Sequence, residues 1–126
     1  EKNPFVLWSG SILNPFMDDV YPTSISYTIG AFLGKDEMAA NNGYISSGYA
    51  HAGFIGVLIY SLILGVYLKW LNVFSKNVPH IWLTIALMVT PFRSLILSSD
   101  LPTTFLTHGL IIATIMITLL RKQAQQ

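Results

Sequence analysis

Residues 52–68 read AGFIGVLIYSLILGVYL, an apolar run inside the charge-free interval between Glu37 and Lys69. A helix of about 20 residues crosses a hydrocarbon core of roughly 30 Å, because each residue adds about 1.5 Å. With its flanking residues, the run reaches that length over residues 51–71. This stretch therefore predicts a membrane-spanning helix.

Two further apolar runs follow in the chain. Residues 80–97 read HIWLTIALMVTPFRSLIL, and residues 103–120 read TTFLTHGLIIATIMITLL. The bilayer offers no water to backbone groups, and the runs lack the alternation of barrel strands, so we expect helices in both. The predicted fold class is an all-α polytopic membrane protein. In it, three transmembrane helices follow an external loop and form part of a larger helical bundle.

The composition agrees with a membrane protein. Of the 126 residues, 52% are hydrophobic and 10% are charged, and the mean hydropathy is +0.55. A net charge of +1 gives no sign of nucleic-acid binding, and the absence of cysteine removes disulfides, thiolate metal sites and cysteine nucleophiles. The chain opens with EKNP, without an initiator methionine or a signal peptide, which predicts a piece of a longer protein.

Basic residues predict the orientation in the membrane. Lys69 and Lys76 lie between the first two runs, and Arg121 and Lys122 follow the third. Short flanks rich in lysine and arginine prefer the cytoplasm, and three alternating helices place both sites on one side. The predicted topology has external segments at 1–50 and 98–102, helices at 51–71, 80–97 and 103–120, and cytoplasmic segments at 72–79 and 121–126.

Four ionisable residues are predicted near the external ends of the helices. His51 is either an interfacial histidine bonded to loop backbone or part of a site, and Arg93 either extends to lipid phosphates or binds an anion. Asp100 lies seven residues beyond Arg93, on the same face if the helix continues, yet Leu-Pro after it is typical of a helix N-cap. His108 is either a buried hydrogen-bond partner or a general base. Polar loop residues predicted on the same side are Asn41, Asn42, Tyr44, Ser47 and Tyr49.

Small residues and metal ligands have simpler interpretations. Gly48, Gly53 and Gly56 are predicted to allow close helix packing. A metal site built from the two histidines and the aspartate ranks low, because their spacing carries no zinc signature, and no cofactor is expected.

Two stretches carry a family resemblance. NNGYISSGYAHAGFIGVLIYSLILG, from residue 41, and SSDLPTTFLTHGLI, from residue 98, together resemble the C-terminal part of bacterial O-antigen and related oligosaccharide repeat-unit polymerases. These are long, many-span proteins of the inner membrane. The resemblance implies a glycosyltransferase that joins oligosaccharides carried on undecaprenyl diphosphate at the external, periplasmic face, without a nucleotide sugar. Membrane lipid and a chain-length regulator protein are the further partners it implies.

The resemblance also implies roles for the polar residues. Arg93 would hold the diphosphate, since its planar fork suits phosphate oxygens. The base that takes the acceptor proton would be His108, then Asp100, then His51 in order of preference. The loop residues Asn41, Asn42, Tyr44, Ser47 and Tyr49 would line a sugar-binding cleft. Two rivals remain open at this point: a transporter or flippase segment for a lipid-linked or polar substrate, and a scaffold subunit of an export complex.

Overall fold

The computed structural model describes residues 5–9, 16 and 20–123. Within this part of the chain every regular element is an α-helix and there is no strand, which confirms the predicted all-α class. The five helices are α1 (Ile25–Phe32), α2 (Tyr44–Ser75), α3 (Ile81–Leu97), α4 (Leu101–Leu106) and α5 (Leu110–Gln123).

Helix α2 begins earlier than expected and is broken near its start. It starts at Tyr44, within the segment 1–50 that was expected to be an external loop. Helix α1 lies within that segment too. Ala52 (φ −151°, ψ 30°) and Gly53 (φ 61°, ψ −143°) leave the helical conformation. The second pair of angles lies in a region that residues with a Cβ avoid, so Gly53 permits the break. The predicted helix 51–71 therefore corresponds mainly to the second segment of α2, from residue 54 to Ser75, and the short first segment, from Tyr44 to His51, was not predicted.

The N-terminal segment fills the gap that the break creates. Carbonyls at a helix end lack their usual partners four residues ahead. Here the Val6 N–H donates to the Ala50 oxygen at 3.0 Å, and the Leu7 N–H donates to the His51 oxygen at 3.1 Å. Residues 5–9 thus satisfy the carbonyls of the first α2 segment.

The two segments of α2 also touch each other through glycine. A Cβ on Gly56 would collide with the carbonyl oxygen of Gly48, so only hydrogen fits between the two backbones. Close packing was predicted for both residues, and the structure confirms it. Gly53 has the different role of turning the chain.

Helix α3 agrees with the second predicted run, but the third run is divided. α3 covers Ile81–Leu97, against a predicted 80–97. The expected continuous helix 103–120 is instead α4 and α5, separated by a turn in which Gly109 has φ 83°. Gly109 directly precedes α5, and its left-handed conformation prevents one continuous right-handed helix from running through this position.

Helices α2 and α3 pack with α5 around one apolar cluster and with α4 around another. The first contains Leu71, Met88 and Ile117, and the second contains Tyr60 and Leu95. The C-terminal ends of α2 and α5 lie together, because the Arg121 guanidinium sits 4.4 Å from the centre of the Phe74 ring. The basic residues Lys76, Arg121 and Lys122 therefore share one end of the bundle.

Helix α2 is long and apolar enough to cross a membrane, and it is the one helix within the described residues that meets both criteria. Its straight part, from residue 54 to Ser75, is about 33 Å long at 1.5 Å per residue. Large apolar side chains on it face outward, with Phe54 83% and Val66 69% exposed. An outer surface of this kind suits contact with lipid or with other apolar helices. Helix α3, at 17 residues, is apolar but shorter.

Candidate functional site

A polar cavity of about 290 Å³ lies where the starts of α1, α2 and α4 meet. Three elements that are far apart in sequence contribute to it, together with the turn after α4. Its lining, which defines the polar cavity, consists of Ser24, Ile25, Ser26, Asn42, Ser47, His51, Ser98, Ser99, Asp100, Thr103 and His108. The residues among these that were predicted as site residues are Asn42, Ser47, His51, Asp100 and His108.

His51 ends the first segment of α2 and is 1% exposed. Its Nδ1 accepts a hydrogen bond from the backbone N–H of Trp8 at 3.2 Å, and the indole of Trp8 stacks on its ring. Its Nε2 lies 3.6 Å from Oδ2 of Asp100. Both ring nitrogens therefore face a partner, which fixes the orientation of the His51 ring.

Asp100 occupies the N-cap position of α4, but its side chain does not cap the helix. The Asp100 backbone oxygen accepts bonds from the N–H and the hydroxyl of Thr104, at 2.9 and 3.0 Å, and no side-chain capping bond forms. The carboxylate faces His51 and interacts with the hydroxyl of Tyr60. The backbone thus follows the capping pattern read from the sequence, while the charge is directed toward the polar cavity.

Tyr60 and Trp8 contact residues of the polar cavity from outside it, and neither of them was predicted from the sequence. The Trp8 indole donates to the Tyr60 hydroxyl at 2.8 Å, and Tyr60 is 2% exposed. In the sequence, Tyr60 is one aromatic residue in an apolar run, and no neighbouring residue marks it as part of a site. Trp8 lies 43 residues before His51, so no local pattern indicates their contact.

Asn42 and Ser47 connect α1 to α2 on the cavity wall. The Ser26 hydroxyl donates to Oδ1 of Asn42, and Nδ2 of Asn42 donates to the Ser47 hydroxyl, both at 3.2 Å. Ser47 is 1% exposed. The amide therefore bridges two serines and holds the start of α1 over the cavity.

His108 was expected one turn inside a helix, and the structure places it in the turn between α4 and α5. The residue is exposed, and it lines the polar cavity. Its backbone N–H donates to the Thr103 oxygen at 3.4 Å. The interruption at Gly109 thus leaves an imidazole that both solvent and a ligand in the cavity can reach.

Arg93 and Asn41 lie outside the polar cavity. Arg93 is exposed on α3, and this helix ends at Leu97. The seven-residue spacing to Asp100 therefore does not put the two on one helical face. Between described residues, the ion pair found at Asp100 is with His51 and not with Arg93.

Tyr44 and Tyr49 line a second feature, an apolar groove of about 740 Å³. Phe5 and Phe54 also contribute, and their rings contact Tyr49 edge-on. Ile25 of α1 lines both the groove and the polar cavity, so the two adjoin. A polar and an apolar compartment therefore lie side by side near the start of α2.

No group of three or more histidine, aspartate or glutamate side chains suited to a metal ion occurs within residues 5–9, 16 and 20–123. No protein-family model matches this sequence, and no curated protein or solved structure matches it either.

Proposed function

We propose that this chain belongs to a membrane glycosyltransferase. The enzyme polymerises undecaprenyl-diphosphate-linked oligosaccharide repeat units into O-antigen or a related surface polysaccharide, at the external face of the bacterial inner membrane. The observation that carries the proposal is the polar cavity, which unites a carboxylate, two imidazoles, an amide and several hydroxyls beside a helix able to cross a membrane. The reaction itself comes from the sequence resemblance.

The proposed topology has three crossings, made by α2, by α3 and by α4 with α5. The contact between Arg121 and Phe74 supports it, because that contact puts the basic ends of α2 and α5 together. Basic flanks favour the cytoplasm, so the opposite end, with the polar cavity, would face the periplasm. This is the side on which the proposed polymerisation takes place.

Glycosyl transfer requires a proton acceptor for the attacking hydroxyl and a partner for the departing diphosphate. Asp100 and His108 both line the cavity, and either could take the proton at hydrogen-bond distance from a bound hydroxyl. Both nitrogens of His51 face other groups, which suits it to orienting Asp100. Arg93 is exposed near the end of α3 that leads to the cavity, where its guanidinium could meet a phosphate oxygen.

The apolar groove is consistent with the proposal that the substrate is linked to a lipid. A sugar needs hydrogen-bonding groups, and a polyprenyl chain needs apolar surface. The polar cavity and the groove supply these two environments, and they share Ile25 as a wall. An amphiphile could therefore place its head and the start of its tail in neighbouring compartments.

A cellular experiment tests the proposal. A strain that lacks its polymerase receives the gene encoding this chain with His108→Ala, Asp100→Asn or Arg93→Ala, and its surface polysaccharide is separated on a gel. We expect the long-chain ladder to disappear while single repeat units remain. The matched control is His80→Ala, which removes an exposed imidazole before α3 at the other end of the bundle and should leave the ladder intact.

Two outcomes would contradict the proposal. If all three variants, at normal membrane levels, keep an intact ladder, then His108, Asp100 and Arg93 are packing or lipid-facing residues and take no part in polymerisation. Lipid-linked substrate stranded on the cytoplasmic side would instead favour the transporter alternative.

A further inference from the structure

Trp8 contacts His51 and Tyr60, the two side chains that face the Asp100 carboxylate. Its backbone N–H donates to Nδ1 of His51 at 3.2 Å, and its indole N–H donates to the Tyr60 hydroxyl at 2.8 Å. The indole also stacks on the His51 ring, with centroids 5.2 Å apart and planes 16° apart. One residue of the N-terminal segment therefore fixes partners from both segments of α2.

Because of these two bonds, His51 and Tyr60 each direct a donor proton toward Asp100. A neutral imidazole has one donor and one acceptor nitrogen, so the bond to Nδ1 puts the His51 proton on Nε2. That atom lies 3.6 Å from Oδ2 of Asp100. Likewise, a hydroxyl that accepts the indole N–H keeps its own proton to donate, and the Asp100 carboxylate is its partner. Two chains of contacts thus begin at Trp8 and end at one carboxylate.

The conformation of the N-terminal segment is unusual in a way that fits such a role. Leu7 has φ 48° and Trp8 has φ 64°, which residues with a Cβ seldom adopt. A conformation of this kind persists only where surrounding contacts hold it, and it is found most often at functional sites. Here the backbone bonds from Val6 and Leu7 to the first segment of α2 hold it.

We propose that Trp8 and Tyr60 are positioning residues that hold the Asp100 carboxylate in the polar cavity. This inference rests on the proposed glycosyltransferase function. Neither side chain lines the cavity, so both would act through Asp100. Tyr60→Phe keeps the ring packed with Leu95 and removes only the hydroxyl. Trp8→Phe keeps an aromatic ring beside His51 and removes the indole donor.

Tyr67→Phe is the matched control. Tyr67 lies on the same helix, is partly buried, and bonds through its hydroxyl to Thr114 at 2.7 Å. Its loss removes a comparable hydrogen bond from the bundle without touching Asp100. A difference between Tyr60→Phe and Tyr67→Phe therefore reports on the carboxylate rather than on stability alone.

The first readout is turnover of purified undecaprenyl-diphosphate-linked repeat units by the reconstituted protein. We expect Tyr60→Phe to lower kcat roughly 10- to 100-fold, the scale of a misplacement of about 1 Å, with KM unchanged. Trp8→Phe should lower kcat in the same way, and the double variant should be no slower than Tyr60→Phe alone, because the indole acts through the hydroxyl. Tyr67→Phe should keep the wild-type kcat.

The second readout does not depend on turnover. A water-soluble carbodiimide is added to the full-length protein, and modification of each carboxyl is followed by mass spectrometry. Asp100 should react faster in Tyr60→Phe and Trp8→Phe than in the wild type or Tyr67→Phe. The exposed Asp36 should react equally in all four proteins and serves as the internal reference.

The two readouts separate the possible failures. If the wild type makes no polymer but Asp100 reactivity changes as expected, the proposed function fails and the positioning role stands. If the wild type polymerises while Tyr60→Phe keeps full kcat and an unchanged Asp100 reactivity, the positioning role is overturned. Equal losses of kcat in Tyr60→Phe and Tyr67→Phe would overturn it as well.

Discussion

Replacing Gly53 with alanine should destabilise the protein by about 1–3 kcal/mol, whichever way the chain responds. If the break in α2 persists, the new alanine must adopt φ 61° and ψ −143°, at a cost of roughly 1–3 kcal/mol. The Phe5 ring also crowds this position, with its nearest atom 3.0 Å from the site of a Cβ. The backbone and the packing therefore oppose the substitution together.

If α2 straightens instead, the strain disappears but other contacts are lost. Alanine then gains about 1 kcal/mol of helix propensity over glycine. The carbonyls of Ala50 and His51 return to the helix, however, and the N–H groups of Val6 and Leu7 lose their acceptors. Each lost hydrogen bond costs about 1 kcal/mol, and the Trp8 contact to His51 is lost as well. The losses exceed the gain in helix propensity, so the free energy of unfolding still falls.

The control is Gly65→Ala, in the straight part of the same helix. A Cβ at Gly65 would meet nothing within 4 Å, so this change should be neutral or stabilise by up to about 1 kcal/mol. Both variants can be unfolded by SDS titration in micelles, followed by tryptophan fluorescence. If Gly53→Ala is as stable as Gly65→Ala and its Trp8 fluorescence is unchanged, the break in α2 does not depend on glycine at position 53.

Three further predictions concern the proposed membrane helices and their orientation. Leu64→Asp, within the straight part of α2, should impair insertion by about 2.5–3.5 kcal/mol, and unchanged insertion in a translocon assay would contradict the span. Arg121→Ala should lower the free energy of unfolding by about 0.5–1 kcal/mol through loss of its contact with Phe74, whereas the exposed neighbour Lys122→Ala should change it little in the same SDS titration. Asp36→Cys should react with a membrane-impermeant maleimide in intact cells and Lys76→Cys only after permeabilisation; the opposite pattern would reverse the proposed orientation.

Much of the helical architecture could be predicted from apolar run length. The prediction for α3 differs from the structure by one residue, because a polar linker containing Pro79 precedes it and two serines follow it. The interruptions in the other two runs could not be found in this way. Gly53 and Gly109 each lie within a stretch predicted as one helix, and hydropathy does not report a positive φ.

The candidate site was predicted in part for a similar reason. Ionisable groups at the mouths of apolar runs are uncommon, so His51, Asp100 and His108 stand out in the sequence, and the fold brings all three to one cavity. The groups that hold Asp100 do not stand out. Tyr60 and Trp8 are aromatic residues with no distinctive neighbours in the sequence. Their contacts form because the N-terminal segment folds back onto α2, and no local sequence pattern predicts this.

Reconstitution of the purified protein is the decisive test of the proposed polymerase activity. The purified full-length protein is placed in liposomes with chemically defined undecaprenyl-diphosphate-linked repeat units, and the masses of the products are measured by mass spectrometry. We expect the wild type to form lipid-linked dimers and longer chains with release of undecaprenyl diphosphate, and Asp100→Asn and His108→Ala to form far fewer. A wild type that transfers no sugar, or variants that match its rate, would contradict the proposal.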